Sequence, residues 1–175
     1  LKNLENITMK ILGISGWHNS GKTTLVKNLI PVLEKRGLTV STVKHAHHNF
    51  EVDKPGKDSY EHRLAGAQEV IISSRNRWAL IHEQKNQTEP DLPELLDKLM
   101  PVDLVLIEGF KKADHVKLEV HRNELGKDLI CHNDPKICMV ASDVELTGLH
   151  VPVFDINDYD AVSDFIIEHL KIKVT

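Results

Sequence analysis

Cysteine is scarce in this chain. Its two cysteines, Cys131 and Cys138, have neither disulfide-framework nor zinc-site spacing. They fit a reducing compartment. Charge of one sign is lacking too: 22 Lys+Arg against 26 Asp+Glu leaves a formal net charge of −4. That balance offers no basic footprint for nucleic acid and no polybasic patch for a membrane surface. No apolar run approaches the roughly 20 residues that a membrane-spanning helix requires. Residues 1–8 carry no apolar core of a signal peptide. Met9 stands directly before the first strand-like run, so residues 1–8 read as a disordered extension ahead of the functional start. The expected localisation is cytoplasmic, with neither nucleic acid nor membrane among the partners. What is present is ordinary for a globular protein: 41% hydrophobic and 27% charged residues in 175. That length suits one domain with one good core, expected over residues 9–175. The compositional excess is 11 histidines, three of them packed into Lys44-His45-Ala46-His47-His48.

The most informative stretch is Gly16-Trp17-His18-Asn19-Ser20-Gly21-Lys22-Thr23-Thr24. It matches G-x-x-x-x-G-K-[ST] at every fixed position. The apolar run Ile11–Ser15 precedes it as a buried strand. Leu25, Val26, Leu29, Ile30 and Leu33 follow at helical spacing. Strand, glycine-rich loop and helix is the order that a phosphate cradle needs. The loop's N–H groups turn inward around phosphate oxygens, and the helix N-terminus adds positive potential. Lys22 supplies a flexible positive charge for the β- and γ-phosphates, and Thr23 a hydroxyl for Mg²⁺.

The helix is expected to stop at Gly37, with Pro31 inside it as a kink or one missing backbone bond. Thr39–Lys44 is rich in β-branched residues and reads as a second strand. The polar loop from His45 to Lys57 is long for a strand–helix connection, which marks it as functional or mobile. Asp58 is placed as N-cap of the next helix, which passes through Leu64 to Ala67. Residues 69–74 and 78–83, joined by Arg75-Asn76-Arg77, predict a hairpin that gives the sheet an antiparallel part. Pro93–Met100 predicts a short amphipathic helix. Val102–Gly109 is a continuous apolar run, expected to be buried on both faces and ending in Glu108 and Gly109. Val116–His121 alternates and is expected to be half exposed. Ile137–Ala141 predicts a buried strand that ends at Ser142-Asp143. Val151–Phe154 contains a proline and belongs at an edge. A last helix is capped by Asp158 or Asp160. The fold class is therefore α/β, a P-loop NTPase: a three-layer, mainly parallel sheet flanked by helices, with an antiparallel hairpin extension.

Glu108 is the candidate partner of the phosphate loop, as the carboxylate that holds Mg²⁺ or orients attacking water. Asp103 opens the same strand at the far edge and receives no role. The His45–Asp58 loop admits three readings. His45, His47 and His48 with Asp53 and Asp58 form a transition-metal site for Zn, Ni or Cu; or they are a solvated loop near phosphates; or Asp53 or Asp58 acts on the Mg²⁺ shell. Asp143 is the candidate guanine reader, since a carboxylate can accept both N1–H and N2–H; its competitor is a plain strand-end turn. Trp78, Arg75 and Arg77 on the hairpin are interface candidates or a cover for the sheet. Lys111-Lys112 either draws an anionic partner or is a solvated face.

Several of these segments together resemble the molybdopterin-guanine dinucleotide biosynthesis protein B family, the MobB adapter proteins. They are residues 16–25, Lys-His-Ala-His-His at 44–48, Asp-Lys-Pro-Gly-Lys-Asp-Ser-Tyr-Glu at 53–61 and Ala-Gly-Ala at 65–67. Arg-Trp-Ala-Leu at 77–80, Leu-Val-Leu-Ile-Glu-Gly-Phe-Lys at 104–111 and Val-Ala-Ser-Asp-Val at 140–144 complete the set. The likeness runs from Met9 to about Leu170, and the run from Lys44 to Ala67 is its most specific part. The resemblance implies a cytoplasmic, homodimeric GTP-binding protein with Mg²⁺ and weak GTPase activity. It implies an adapter role beside the guanylyltransferase that joins GMP to molybdopterin, with delivery of nucleotide or finished molybdenum cofactor to molybdoenzymes. It also implies a dimer joined in part through β-structure, with the hairpin at 69–83 as the element. A P-loop small-molecule kinase, a metallochaperone GTPase using the histidine loop, and a nucleotide-sensing adapter without useful turnover are the competing readings.

Overall fold

Short apolar runs at a two-residue period alternate with leucines at a helical period, and the chain folds accordingly. In the computed structural model, which describes residues 9–46, 50–85 and 88–174, β1 is Lys10–Ser15, α1 Lys22–Lys35 and β2 Val40–Lys44. Next come α2 (Asp58–Leu64), the strands β3 (Glu69–Ser73) and β4 (Trp78–His82), and α3 (Leu92–Leu96). The chain continues through β5 (Leu104–Glu108), β6 (Lys117–His121), β7 (Ile137–Ser142), β8 (Val153–Asp155) and α4 (Tyr159–His169). Two compact units result, one formed by residues up to His45 and from Leu95 onward, the other by Ala46–Glu94.

The first unit holds a six-stranded sheet in the order β2-β5-β1-β6-β7-β8, and every pairing in it is parallel. β1 lies between β5 and β6, where the strand order reverses, so the carboxyl end of β1 is a topological switch point, the usual ligand crevice of such sheets. Leu25, Leu29 and Leu33 form the buried stripe of α1. They pack with Val162 and Ile166 of α4 onto Leu12, Ile14, Leu104, Leu106, Leu118, Val120, Met139 and Ala141 of the sheet. On β7, Val140 alternates with Met139 and Ala141, and it joins a second cluster with Cys131 and Ile137.

α1 closes as expected near Gly37, whose N–H donates to the Glu34 carbonyl at 2.9 Å while Leu38 N–H reaches Leu33 at 3.2 Å. Pro31 lies inside α1, which runs on to Lys35. β5 is buried along Leu104–Ile107, and β8 pairs only with β7, as an edge strand does. Asp158, not Asp160, caps α4, its carboxylate accepting from Ala161 N–H at 3.0 Å. Asp103 is structural: it accepts from the Thr39 N–H at 2.7 Å and hydroxyl at 2.6 Å.

Four expectations are corrected. The hairpin β3–β4 is a separate two-stranded antiparallel sheet, so the six-stranded sheet has no antiparallel part. β6 is not half exposed: all five of its residues are buried, because a central strand is covered on both faces whatever its alternation. The N-cap of α2 is Lys57, with extended backbone and no side-chain cap bond; Asp58 is the first helical residue, where its charge complements the helix dipole. α3 is also shorter than expected, five residues from Leu92. It opens on a reciprocal pair in which Asp91 N–H donates to the Glu94 carboxylate and Glu94 N–H to that of Asp91, both at 2.9 Å.

Candidate functional site

The carboxyl end of β1 runs straight into the glycine-rich loop, and α1 begins at Lys22. Gly16 has φ 146°, and a Cβ there would lie 2.5 Å from Ser20 Oγ and 2.7 Å from the Val120 carbonyl oxygen. A side chain therefore has no room at Gly16, and the loop closes tightly behind it. Ser20 is buried, and its hydroxyl has no hydrogen-bond partner among the described residues. Trp17, His18 and Asn19 are exposed, and Asn19 takes a left-handed backbone. Lys22 Nζ arches back over the loop, donating to the carbonyls of Gly16 at 3.0 Å and Trp17 at 2.7 Å. Burial pulls the Lys22 ammonium below the usual lysine range; the Glu108 charge opposes this, and Lys111 and Lys44 add to it. The exposed Thr24 offers its carbonyl to Asn28 at 3.0 Å.

The parallel register places Ile14, Lys44 and Glu108 side by side across three strand ends. Thr23 Oγ1 lies 3.3 Å from each carboxylate oxygen of Glu108, so two of the residues singled out for Mg²⁺ meet at one point. Lys44 Nζ stands 3.8 Å from Glu108 Oε2. Gly109 permits this close packing, since a Cβ there would lie 2.5 Å from His45 Cβ. Next to it, the Phe110 ring packs tilted against the His45 ring, with centroids 4.9 Å apart. Lys44 was legible in the sequence only as part of a histidine-rich run; its place at the end of a strand adjacent to Glu108 is the signal that would have found it.

Asp143 follows β7 and borders a cavity of about 510 Å³ whose lining includes Ser142, Leu146, Val153, Phe154 and Asp155. Its Oδ1 accepts from Asn123 N–H at 2.9 Å, and its Oδ2 is 3.6 Å from Arg122 Nη1. The Asn123 N–H, with a smaller contribution from Arg122, holds the Asp143 carboxyl below the usual carboxylate range. The segment after β6 also reaches the phosphate loop: Trp17 Nε1–H donates to the Asp128 carbonyl at 2.9 Å, and Lys127 lies over the Trp17 ring at 5.8 Å. Sequence reasoning assigned nothing to Arg122, one residue beyond the strand expected over Val116–His121.

In the second unit, Asp58 is exposed at the start of α2. Asp53 does not suit a metal shell: Arg63 takes both its oxygens, at 2.9 and 3.2 Å, and also binds Glu51 at 2.6 Å and Glu83 at 2.7 Å. This bracket of three carboxylates raises the Arg63 pKa still further. His47 and His48 lie outside the described residues. Among the described residues no three His, Cys, Asp or Glu side chains converge in a way that could hold a metal ion. The Cys131 and Cys138 thiols are both pushed up to about 11 by burial, so neither is a nucleophile at neutral pH.

Comparison with known proteins agrees with this geometry. A family model described as "Molybdopterin guanine dinucleotide synthesis protein B" matches residues 11–143. The molybdopterin-guanine dinucleotide biosynthesis adapter protein of Escherichia coli (strain K12) is 42% identical over 166 residues, 92% of this chain and 93% of the relative. Its namesake in Haemophilus influenzae is 40% identical over 162 residues, 92% of this chain and 89% of the relative. Among solved structures, a molybdopterin-guanine biosynthesis protein B superimposes with a TM-score of 0.69 at 28% identity, covering 91% of this chain and 99% of the other. Bacillus subtilis MobB gives 0.72 at 24% identity, covering 95% and 100%, a likeness of fold. The strand–loop–helix cradle, the carboxylate beside it and these matches lead to one conclusion: the chain belongs to the molybdopterin-guanine dinucleotide biosynthesis protein B (MobB) family.

Proposed function

We propose that this chain is a GTP-binding adapter in molybdopterin-guanine dinucleotide biosynthesis, assisting the guanylyltransferase that joins GMP to molybdopterin. Its hydrolysis of GTP is weak and secondary to the adapter role. Support for the pathway comes from relatives named as molybdopterin-guanine dinucleotide biosynthesis adapter proteins. The observation that carries nucleotide binding is the meeting of Thr23 and Glu108 at 3.3 Å beside the tight loop at Gly16.

The donors fit Mg²⁺. A threonine hydroxyl and a carboxylate, within hydrogen-bond distance of each other at the loop, are the hard oxygen ligands that this ion prefers. When bound, Mg²⁺ would neutralise charge on the β- and γ-phosphates. The chain's own residues do the rest. Loop N–H groups from Gly16 to Thr24 hold phosphate oxygens, and Ser20 Oγ supplies a buried hydroxyl without another partner among the described residues. Lys22, bonded to the Gly16 and Trp17 carbonyls and aimed along the loop, supplies the mobile charge. Lys44 and Lys111 add positive potential to the same place. Glu108 orients water. Asp143 reads guanine through its two oxygens, and the neighbouring cavity accommodates the base.

The working form is a homodimer joined in part through β3–β4, whose outward face carries Ile71, Trp78 and Leu80. The cargo is nucleotide or finished molybdenum cofactor, passed on to molybdoenzymes in the cytoplasm. The test is a calorimetric titration of GTP with Mg²⁺ into the parent chain and Lys22→Ala. Affinity is expected to fall by about a hundredfold, the scale of a lost charged hydrogen bond, with the far-UV spectrum unchanged. Undiminished GTP affinity in Lys22→Ala would remove the basis of this reading.

A further inference from the structure

Arg122 stands one residue beyond the carboxyl end of β6, on the edge of the sheet where the phosphate loop begins. Its guanidinium faces two places at once. Nε and Nη2 each lie 3.6 Å from the point that a Cβ on Gly21 would occupy, so one edge of the fork faces the left-handed N-cap of α1. Nη1 is 3.6 Å from Asp143 Oδ2. The next residue fixes the other oxygen, since Asn123 N–H donates to Oδ1 at 2.9 Å. The side chains of Arg122 and Asp143 are only 30% and 24% exposed, so their charges are partly shielded from water and interact more strongly than a surface pair.

The consequence follows from the number of acceptor sites on a carboxylate. Each oxygen has two lone-pair directions. Asn123 N–H takes one on Oδ1 and the Asp143 backbone N–H another, while the Arg122 charge faces Oδ2 at 3.6 Å, outside hydrogen-bond distance, so two of the four acceptor sites are left. Two fixed, adjacent acceptors match a base edge with two adjacent donors, N1–H and N2–H of guanine. They reject an edge that presents an acceptor at N1, as adenine does, because two lone pairs would then face each other. A carboxylate free to rotate would discriminate less, since specificity depends on leaving the wrong partner's polar groups unpaired.

We infer that Arg122 is a positioning residue for base discrimination, locking the Asp143 carboxylate to the phosphate loop so that base and phosphates are read in one fixed register. This rests on the proposed reading of the chain as a guanine-nucleotide binder. Arg122 acts through Asp143 and is assigned no step in hydrolysis.

The experiment measures GTP and ATP affinity by calorimetry in the parent, Asp143→Ala, Arg122→Ala and Arg122→Lys, each checked by circular dichroism. Arg122→Ala is expected to cut the preference for GTP over ATP by about tenfold while ATP affinity moves by less than about threefold. Arg122→Lys keeps a charge but loses the planar fork, so it recovers only part of the preference. Equal loss of GTP and ATP in Arg122→Ala would assign the residue to the phosphates or to stability and overturn the inference. A parent that prefers GTP, with that preference lost in Asp143→Ala but kept in Arg122→Ala, would overturn Arg122 alone. A parent with no preference would overturn the base reading and Arg122 with it.

Discussion

β6 and the β3–β4 hairpin invert the usual rule of burial. Lys117, Glu119 and His121 on β6 are buried, Glu119 completely. Ile71, Trp78 and Leu80 on the hairpin are exposed, Trp78 at 65%. The cause is topological in both. β6 has a parallel neighbour on each side, β1 and β7, and must answer each buried charge locally. Lys117 Nζ meets Asp134 at 2.9 Å, and Glu119 accepts from the N–H groups of Ile130 and Cys131 at 2.8 Å each. The hairpin pairs only with itself, with Ile71 opposite Leu80 and Ser73 opposite Trp78 on one face. A two-stranded ribbon is marginal alone in water, and an apolar face on it calls for a cover. Charge inside is therefore affordable where partners are built in, and apolar surface outside is expected where a partner comes later.

The strongest way to break this comparison is at Glu119. Glu119→Ala leaves two buried N–H groups unpaired, and a loss of about 3–5 kcal/mol in urea unfolding is expected, with Glu119→Gln intermediate. A loss below about 1 kcal/mol would mean that β6 does not depend on its buried carboxylate.

A second test uses His115, just before β6. Neither of its ring nitrogens has a hydrogen-bond partner among the described residues. Burial lowers its pKa; Lys117 adds to this, and Asp134 and Asp114 oppose it. The sign follows from linkage. Below the ordinary histidine pKa of about 6.5 the unfolded chain takes up a proton that the folded chain refuses, so this contribution to stability is present above that pH and lost as pH falls below it. His115→Gln should flatten the pH dependence of the unfolding midpoint as pH falls below about 6.5. An unchanged slope would show that the imidazole is hydrated.

The smallest effect on stability is expected on the hairpin. Trp78→Ser, alone or with Leu80→Ser, should change monomer stability by no more than about 0.5 kcal/mol. Sedimentation should nevertheless shift from dimer to monomer. A dimer that survives the double substitution would reject β3–β4 as the joining element and leave its apolar face without the cover proposed for it.

Much of the candidate site was legible because its parts are local. The spacing from Gly16 to Thr24 and the apolar run ending at Glu108 each encode a strand end, and a parallel sheet brings such ends to one edge; the Thr23–Glu108 contact confirms that juxtaposition. Arg122 and Lys44 were not legible as site residues. Nothing within a few positions of Arg122 marks it, Lys44 is marked only as the start of a histidine-rich run, and each matters only through a neighbouring strand. Asp53 misled for the opposite reason: a carboxylate in a histidine-rich loop looks like a ligand until Arg63, ten residues on, takes both of its oxygens.

The sequence by itself determined the glycine-rich loop, the helix that backs it, the candidate carboxylate beside it and the likeness to the MobB family, because each is written in contiguous residues whose backbone and periodic preferences act over one or two turns. Only the tertiary structure decided which charges are buried, that the hairpin forms a sheet of its own, and that Arg122 faces both Gly21 and Asp143. Those outcomes depend on strand order and on contacts between residues far apart in the chain, to which local propensity and alternation are blind.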